Sequence, residues 1–122
     1  MSKKILFIED ESALQRAAST VLTEKGYTVL SALDGELGIA AAKKEMPDLI
    51  LLDLILPKKD GFEVLKDLKA DPATQTIPVI ILSNLAESAD VERALTLGAR
   101  TYLVKTNYRL EEVVEKIDGI LQ

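Results

Sequence analysis

A chain of 122 residues that is 48% hydrophobic and 29% charged has the length and make-up of one folded domain, which excludes a disordered or fibrous protein. Its 20 acidic against 15 basic residues, a net charge of -5, leave no basic surface for direct binding to nucleic acid or an anionic membrane. With no cysteine and no histidine, disulfides, thiolate chemistry, imidazole catalysis and sulfur-bound metals are excluded, so any metal is a hard cation on oxygen ligands, such as Mg²⁺.

Lys4–Ile8 reads as a first buried strand, and it ends in the successive carboxylates Glu9, Asp10 and Glu11. Four apolar residues, 5–8, are too short for a signal peptide, and no apolar run is long enough to span a membrane, so the expected compartment is the cytoplasm. A helix then starts at Glu11 or Ser12. Leu14, Ala17, Ala18, Val21 and Leu22 follow the spacing of an inward helical face, and Gly26 stops it. Thr28–Ala32 is the second strand. Asp34 and Gly35 form a turn, and residues 36–44 form a helix with Leu37, Ala40 and Ala41 inward, ended by Pro47.

Leu49–Leu52 is apolar without alternation, as in a strand buried on both faces, and it delivers one carboxylate, Asp53, before Pro57 and Gly61 close the stretch with loop chemistry. Residues 62–69 form a third helix with Leu65 and Leu68 inward, residues 79–82 a fourth strand ending at Ser83 and Asn84, and residues 87–97 a fourth helix with Val91, Ala94 and Leu95 inward. Thr101–Val104 is the fifth strand and ends at Lys105. The last helix runs from Leu110 with Val113, Val114, Ile117 and Leu121 at helical spacing. Arg93, Arg100 and Arg109 read as solvated.

Short apolar strands alternating with helices specify an α/β sandwich around a parallel sheet with right-handed crossovers. In open sheets of this kind ligands sit beyond the carboxyl ends of the strands. That edge gathers Glu9, Asp10, Asp53, Ser83 and Lys105. Two like charges about 5 Å apart at an effective dielectric of ~20 repel by about 3 kcal/mol, so the clustered carboxylates call for a cation. A divalent ion such as Mg²⁺, with Lys105 as a second positive charge and Ser83 as a hydroxyl donor, supplies what is needed to hold a tetrahedral dianion over Asp53 during phosphoryl transfer.

Glu9 and Asp10, then Asp53 with Pro57, Asp60 and Gly61, then Ser83, then Tyr102 and Lys105, in this order over essentially the whole chain, resemble the receiver domain of two-component response regulators. The resemblance implies a single receiver domain over residues 1–122, with a flavodoxin-like three-layer fold, a five-stranded parallel sheet in the order 2-1-3-4-5 and five helices. It implies that Asp53 is the phosphoacceptor for the phosphohistidine of a sensor histidine kinase or phosphotransfer protein. Asp10, Asp53 and the backbone carbonyl of Ile55 would ligate Mg²⁺, with Glu9 acting more loosely or through water. Lys105 would pair with the phosphoryl oxygens, and Ser83 would hydrogen-bond one of them, drawing in the loop after the fourth strand and letting Tyr102 turn inward as a switch.

Three positions depart from the pattern of that family: Glu9 replaces the commoner aspartate, Asn84 replaces a small residue, and Thr106 follows Lys105 in place of a proline. Ile55 and Leu85, two residues beyond Asp53 and Ser83, are apolar, which implies slow loss of the phosphoryl group. Ile55 also stands where an aspartyl-phosphate phosphatase carries its second acid, so the chain is expected to catalyse only its own phosphorylation and dephosphorylation. The acidic run after the first strand would repel a flavin phosphate. A receiver-like interaction module working without phosphorylation is the alternative, motivated by Thr106 and Asn84. The turn 98–101 lacks acidic residues for dimer salt bridges, so a monomer or weak dimer is expected, either as a stand-alone regulator or as one piece of a longer protein, with its downstream target unnamed.

Overall fold

The five apolar runs pair into one parallel sheet in the order β2-β1-β3-β4-β5, seen in a computed structural model that describes residues 2–122. Met1, the first residue of the expected domain, lies outside the described residues. The strands are β1 (Lys4–Ile8), β2 (Thr28–Ala32), β3 (Leu49–Leu52), β4 (Val79–Ser83) and β5 (Thr101–Val104). The helices between and after them are α1 (Ser12–Glu24), α2 (Gly35–Glu45), α3 (Gly61–Ala70), α4 (Ser88–Thr96) and α5 (Leu110–Leu121). Fold class, strand order and helix order are those expected from the sequence.

Because side chains alternate across a strand, the apolar runs feed two cores at once. Ile5, Phe7, Leu49, Leu51, Ile80, Leu82 and Leu103 face α1 and α5, where they meet Ala18, Leu22, Val113, Val114 and Ile117. Leu6, Ile8, Ile50, Leu52, Val79 and Ile81 face the other way, onto Ala42, Phe62, Val64, Leu65, Leu68 and Ala94. Each fully buried aliphatic side chain contributes roughly 1.5–3 kcal/mol, so the central strands hold the sheet edge rigidly enough to position a site.

Four inward-face assignments are corrected. Leu37 is 55% exposed and Ala40 is also exposed, while Ala41 is half-buried; α2 instead buries Gly35, Gly38 and Ala42. The cause is distance: a Cβ on Gly38 would run into the Ile8 side chain, so only a glycine face lets α2 approach the sheet. Asp34 and Gly35 are not a free turn either, since the Asp34 side chain caps α2 by accepting from the Leu37 N–H at 2.8 Å. On α1, Ala17 is exposed and Gln15 is buried. On α4, Leu95 is exposed and only Ala94 is fully buried.

Helix ends follow local chemistry. Gly26 adopts the left-handed φ of +94° that glycine alone accepts without cost, and it stops α1 as expected. Arg93 is exposed, as read from sequence, but its guanidinium lies 4.1 Å from the centre of the Phe62 ring and so links α4 to α3.

Candidate functional site

Register places the site. Ile8 pairs with Leu52 across β1 and β3, so Glu9 and Asp53 leave the sheet side by side. Ser83 pairs with Val104 across β4 and β5, so Lys105 emerges next to Ser83. The Asp53 amide donates to the Ile8 carbonyl at 3.0 Å, extending the ladder one step and fixing the start of the loop.

That loop turns back on itself. The Gly61 N–H donates to the Leu54 carbonyl at 2.9 Å, and Asp60 caps α3 by accepting from the amides of Phe62 and Glu63 at 2.8 and 3.2 Å. A Cβ on Gly61 would strike the Asp53 carbonyl oxygen and the Leu54 Cα, both backbone atoms that cannot give way without moving Asp53. Gly61→Ala is therefore expected to cost about 1–3 kcal/mol of stability in a urea titration, with the loss coming from overpacking against that backbone. An unchanged midpoint would show that the loop is free to relax.

Asp53 is 4% exposed, and both of its oxygens are engaged. Oδ1 accepts from the Ser83 hydroxyl at 2.7 Å and from the Ile55 amide at 3.2 Å; Oδ2 accepts from the Lys105 ammonium at 2.9 Å. The same ammonium lies 2.6 Å from Glu9 Oε1, so one largely buried lysine bridges two carboxylates. Burial pulls the Lys105 pKa down, but its bonds to Glu9 and Asp53 outweigh that and hold it above the usual lysine value.

Glu9 is 1% exposed. Burial first, and the charge of Asp53 second, push its pKa up to about 7 against the pull of Lys105 and the Glu11 amide, which donates to Oε2 at 3.1 Å. Its Oε1 touches Lys105 as an ion pair that is not aligned as a directed hydrogen bond, leaving lone-pair capacity unused. Asp10 is exposed at the mouth.

The carboxylate oxygens of Glu9, Asp10 and Asp53 lie within 4.8 Å of one another. An all-oxygen set with two buried members and one solvent-facing member suits a hard divalent cation that keeps part of its water. Ile55 stands exposed beside Asp53, lining the same open cleft as Asp10, Asn84 and Lys105.

Every residue singled out from the sequence is thus in one place or linked to it. Tyr102 sits further along β5, half-buried, and its hydroxyl donates to the Leu85 carbonyl at 2.6 Å, joining it to the loop after β4. Lys105 reaches the carboxylates although Thr106 follows it; it begins a short 3₁₀ turn, Lys105–Asn107. Asn84 lies exposed and lines the same cleft as Asp53.

The residue that sequence reasoning missed is Gln15. Its Nε2 donates to the carbonyls of Phe7, Glu9 and Ala32, beneath the acidic loop. A polar residue at a position spaced with Ala18 and Leu22 was the available signal.

Comparison with known proteins agrees with this geometry. A family model described as the response regulator receiver domain matches residues 5–118. The chain belongs to that family. This receiver domain is 40% identical over 119 residues to the DNA-binding dual master transcriptional regulator RpaA of a Synechocystis strain, covering 98% of this chain and 49% of that protein. The chain spans about half the length of the first curated relatives it matches. Among solved structures, a CheY-like receiver domain protein from Methanospirillum hungatei superposes with a TM-score of 0.92 at 26% identity, covering 99% of this chain and 94% of that one. The Mn²⁺-bound form of the response regulator Rcp1 superposes with a TM-score of 0.82 at 35% identity, covering 97% and 91%. The receiver is a module of phosphorylation-dependent two-component signalling, and its acidic cluster is compatible with a divalent metal. Among the described residues no helix is long and apolar enough to cross a membrane.

Proposed function

We propose that Asp53 accepts a phosphoryl group from the phosphohistidine of a sensor histidine kinase or a phosphotransfer protein. The observation that supports this most directly is the pairing of one buried carboxylate, Asp53, with a hydroxyl and an ammonium at 2.7 and 2.9 Å. An Asp53 oxygen attacks phosphorus, the P–N bond breaks, and the imidazole leaves with its electron pair. Lys105 and Ser83, already directed at the two carboxylate oxygens, are placed to follow the charge onto the transferred group and hold it.

Mg²⁺ fits the donor set, with Asp10, Asp53 and the Ile55 carbonyl as ligands and Glu9 acting more loosely or through water. When bound, the ion neutralises charge on the entering phosphoryl oxygens. The Mn²⁺ in the similar response regulator Rcp1 supports a divalent site of this kind.

Tyr102 and Ser83 form the switch. Ser83 bonds Asp53, and the Leu85 carbonyl two residues later bonds Tyr102, so a change at the acceptor is transmitted through the loop to β5 and α4. The output is a change of protein partner. The acidic receiver, as a single domain in the cytoplasm and a monomer or weak dimer, makes no direct contact with nucleic acid or membrane and turns over no external substrate.

Incubation with MgCl₂ and acetyl phosphate, followed by intact mass spectrometry, is expected to add one phosphoryl group, lost completely in Asp53→Asn. A protein that stays unmodified while still binding Mg²⁺ would instead support a receiver-like interaction module.

A further inference from the structure

We infer that Gln15 is a positioning residue for the acidic cluster, setting the peptide plane from which Asp10 departs. The inference rests on the metal reading of Glu9, Asp10 and Asp53 and adds to it a residue outside that set.

Gln15 is 5% exposed on the first turn of α1, where an apolar side chain would serve packing alone. Its Nε2 lies 2.8 Å from the carbonyl oxygen of Phe7, 3.1 Å from that of Glu9 and 3.2 Å from that of Ala32, so its two N–H groups serve three acceptors, one of them shared. With acceptors on that side only, the amide cannot be turned over, and its Oε1 is left buried without a donor. A buried amide oxygen left without a donor is destabilising, because it has given up its water and gained no bond. A side chain retained for packing would avoid that cost.

The bond to the Glu9 carbonyl has a specific geometric consequence. That carbonyl belongs to the peptide joining Glu9 to Asp10, so holding it fixes the plane of the peptide and the direction in which the Asp10 Cα leaves it. Glu9 has other anchors: its amide donates to the Ala32 carbonyl at 3.0 Å, Oε2 accepts from the Glu11 amide at 3.1 Å, and Oε1 meets Lys105 at 2.6 Å. Asp10 has no such support. Its carboxylate pairs with no cation among the described residues, so it is placed through its backbone. Gln15 also binds the Ala32 carbonyl, the same oxygen that accepts from the Glu9 amide, which ties the ends of β1 and β2 and the acidic loop to one side chain.

The test uses Gln15→Met, which keeps length and removes the donor, and Thr74→Val as a control. Thr74 is likewise buried and donates to the Leu68 carbonyl at 2.7 Å, but it lies after α3, apart from the acidic loop. MgCl₂ affinity is measured by calorimetry, stability by urea titration, and the amide shifts of residues 9–11 by NMR in chelator-treated protein.

Both variants are expected to lose stability, and only Gln15→Met is expected to weaken Mg²⁺ binding, by roughly tenfold, and to move the amide signals of Asp10 and Glu11 in the metal-free protein. Gln15→Asn, whose shorter arm cannot reach the same carbonyls, is the second variant should the methionine protein fail to fold, with the same shifts expected. Unchanged Mg²⁺ affinity and unchanged amide shifts in a folded Gln15 variant overturn the positioning role. Failure of the metal reading is distinguished by the unsubstituted protein, which would then give no Mg²⁺ binding at all, and the inference would fall with it.

Discussion

Replacing Lys105 with methionine is expected to destabilise the metal-free protein by on the order of 2–4 kcal/mol at pH 8 and by much less at pH 6. Lys105 is the cation that Glu9 and Asp53 share, at 2.6 and 2.9 Å. Without it two buried carboxylates face each other with Asp10 close by, and the Glu11 amide on Oε2 is the remaining support for Glu9. The pH dependence follows from Glu9, whose pKa in the folded protein is raised by burial and by Asp53 from 4.5 to about 7. Between those values the folded state binds the extra proton, so this group's contribution declines as pH rises and is lowest above 7. Removing Lys105 raises the folded pKa further, which extends that decline into the alkaline range and opens the gap between variant and parent there. At pH 6, below the folded pKa of Glu9 in the parent and further below it in the variant, that group is mostly protonated in both. Adding Glu9→Gln is expected to restore most of the lost stability, since it removes one of the two charges. Urea titrations in chelator at the two pH values measure this directly. Equal losses at both would mean that the lysine acts through Asp53 or its aliphatic stem rather than through the charge of Glu9.

The same cluster shows what the sequence could and could not disclose. Buried parallel strands are continuous apolar runs, so β1, β3, β4 and β5 could be read directly, together with the polar residues at their ends. Strand order followed from the family resemblance, because apolar periodicity says which residues are strands and not which strands are neighbours. The helices were legible as helices, and α3 and α5 bury the faces expected of them, but the facing of α2 and of single positions on α1 and α4 was not legible. On α2 the eye goes to Leu37, yet the helix presents Gly38 to Ile8, because close approach to the sheet decides facing there and hydrophobicity does not. Leu95 failed for a related reason: α4 is short and buries only Ala94 fully, so the second apolar row of its pattern remains in solvent. Gln15 was invisible because its partners are carbonyls at the ends of two strands, brought under α1 only by the fold. Glu9 and Asp53 could be placed together by sequence alone, but the raised pKa of Glu9 depends on burial that residue type does not reveal.

The phosphoryl group on Asp53 is expected to persist for many minutes rather than seconds in the isolated protein. Hydrolysis needs a water held in line with the P–O bond to Asp53, and orienting that water takes a donor or acceptor at the rim of the cleft. The rim residue beside Asp53 is Ile55, 55% exposed and apolar, and the residue two beyond Ser83 is Leu85, half-buried, whose carbonyl is occupied by the Tyr102 hydroxyl at 2.6 Å. Neither side chain can hydrogen-bond a water. Ile55→Asn, at an exposed position where little packing is lost, is expected to accelerate loss of the group by about tenfold, while Ile55→Val leaves the rate unchanged. The rate is followed by intact mass after removal of acetyl phosphate. Decay within seconds in the unsubstituted protein, or equal rates in the asparagine and valine variants, would place the attacking water under the control of another group. Asn84, exposed on the same cleft and carrying the amide that Ile55 lacks, would then be the side chain to replace.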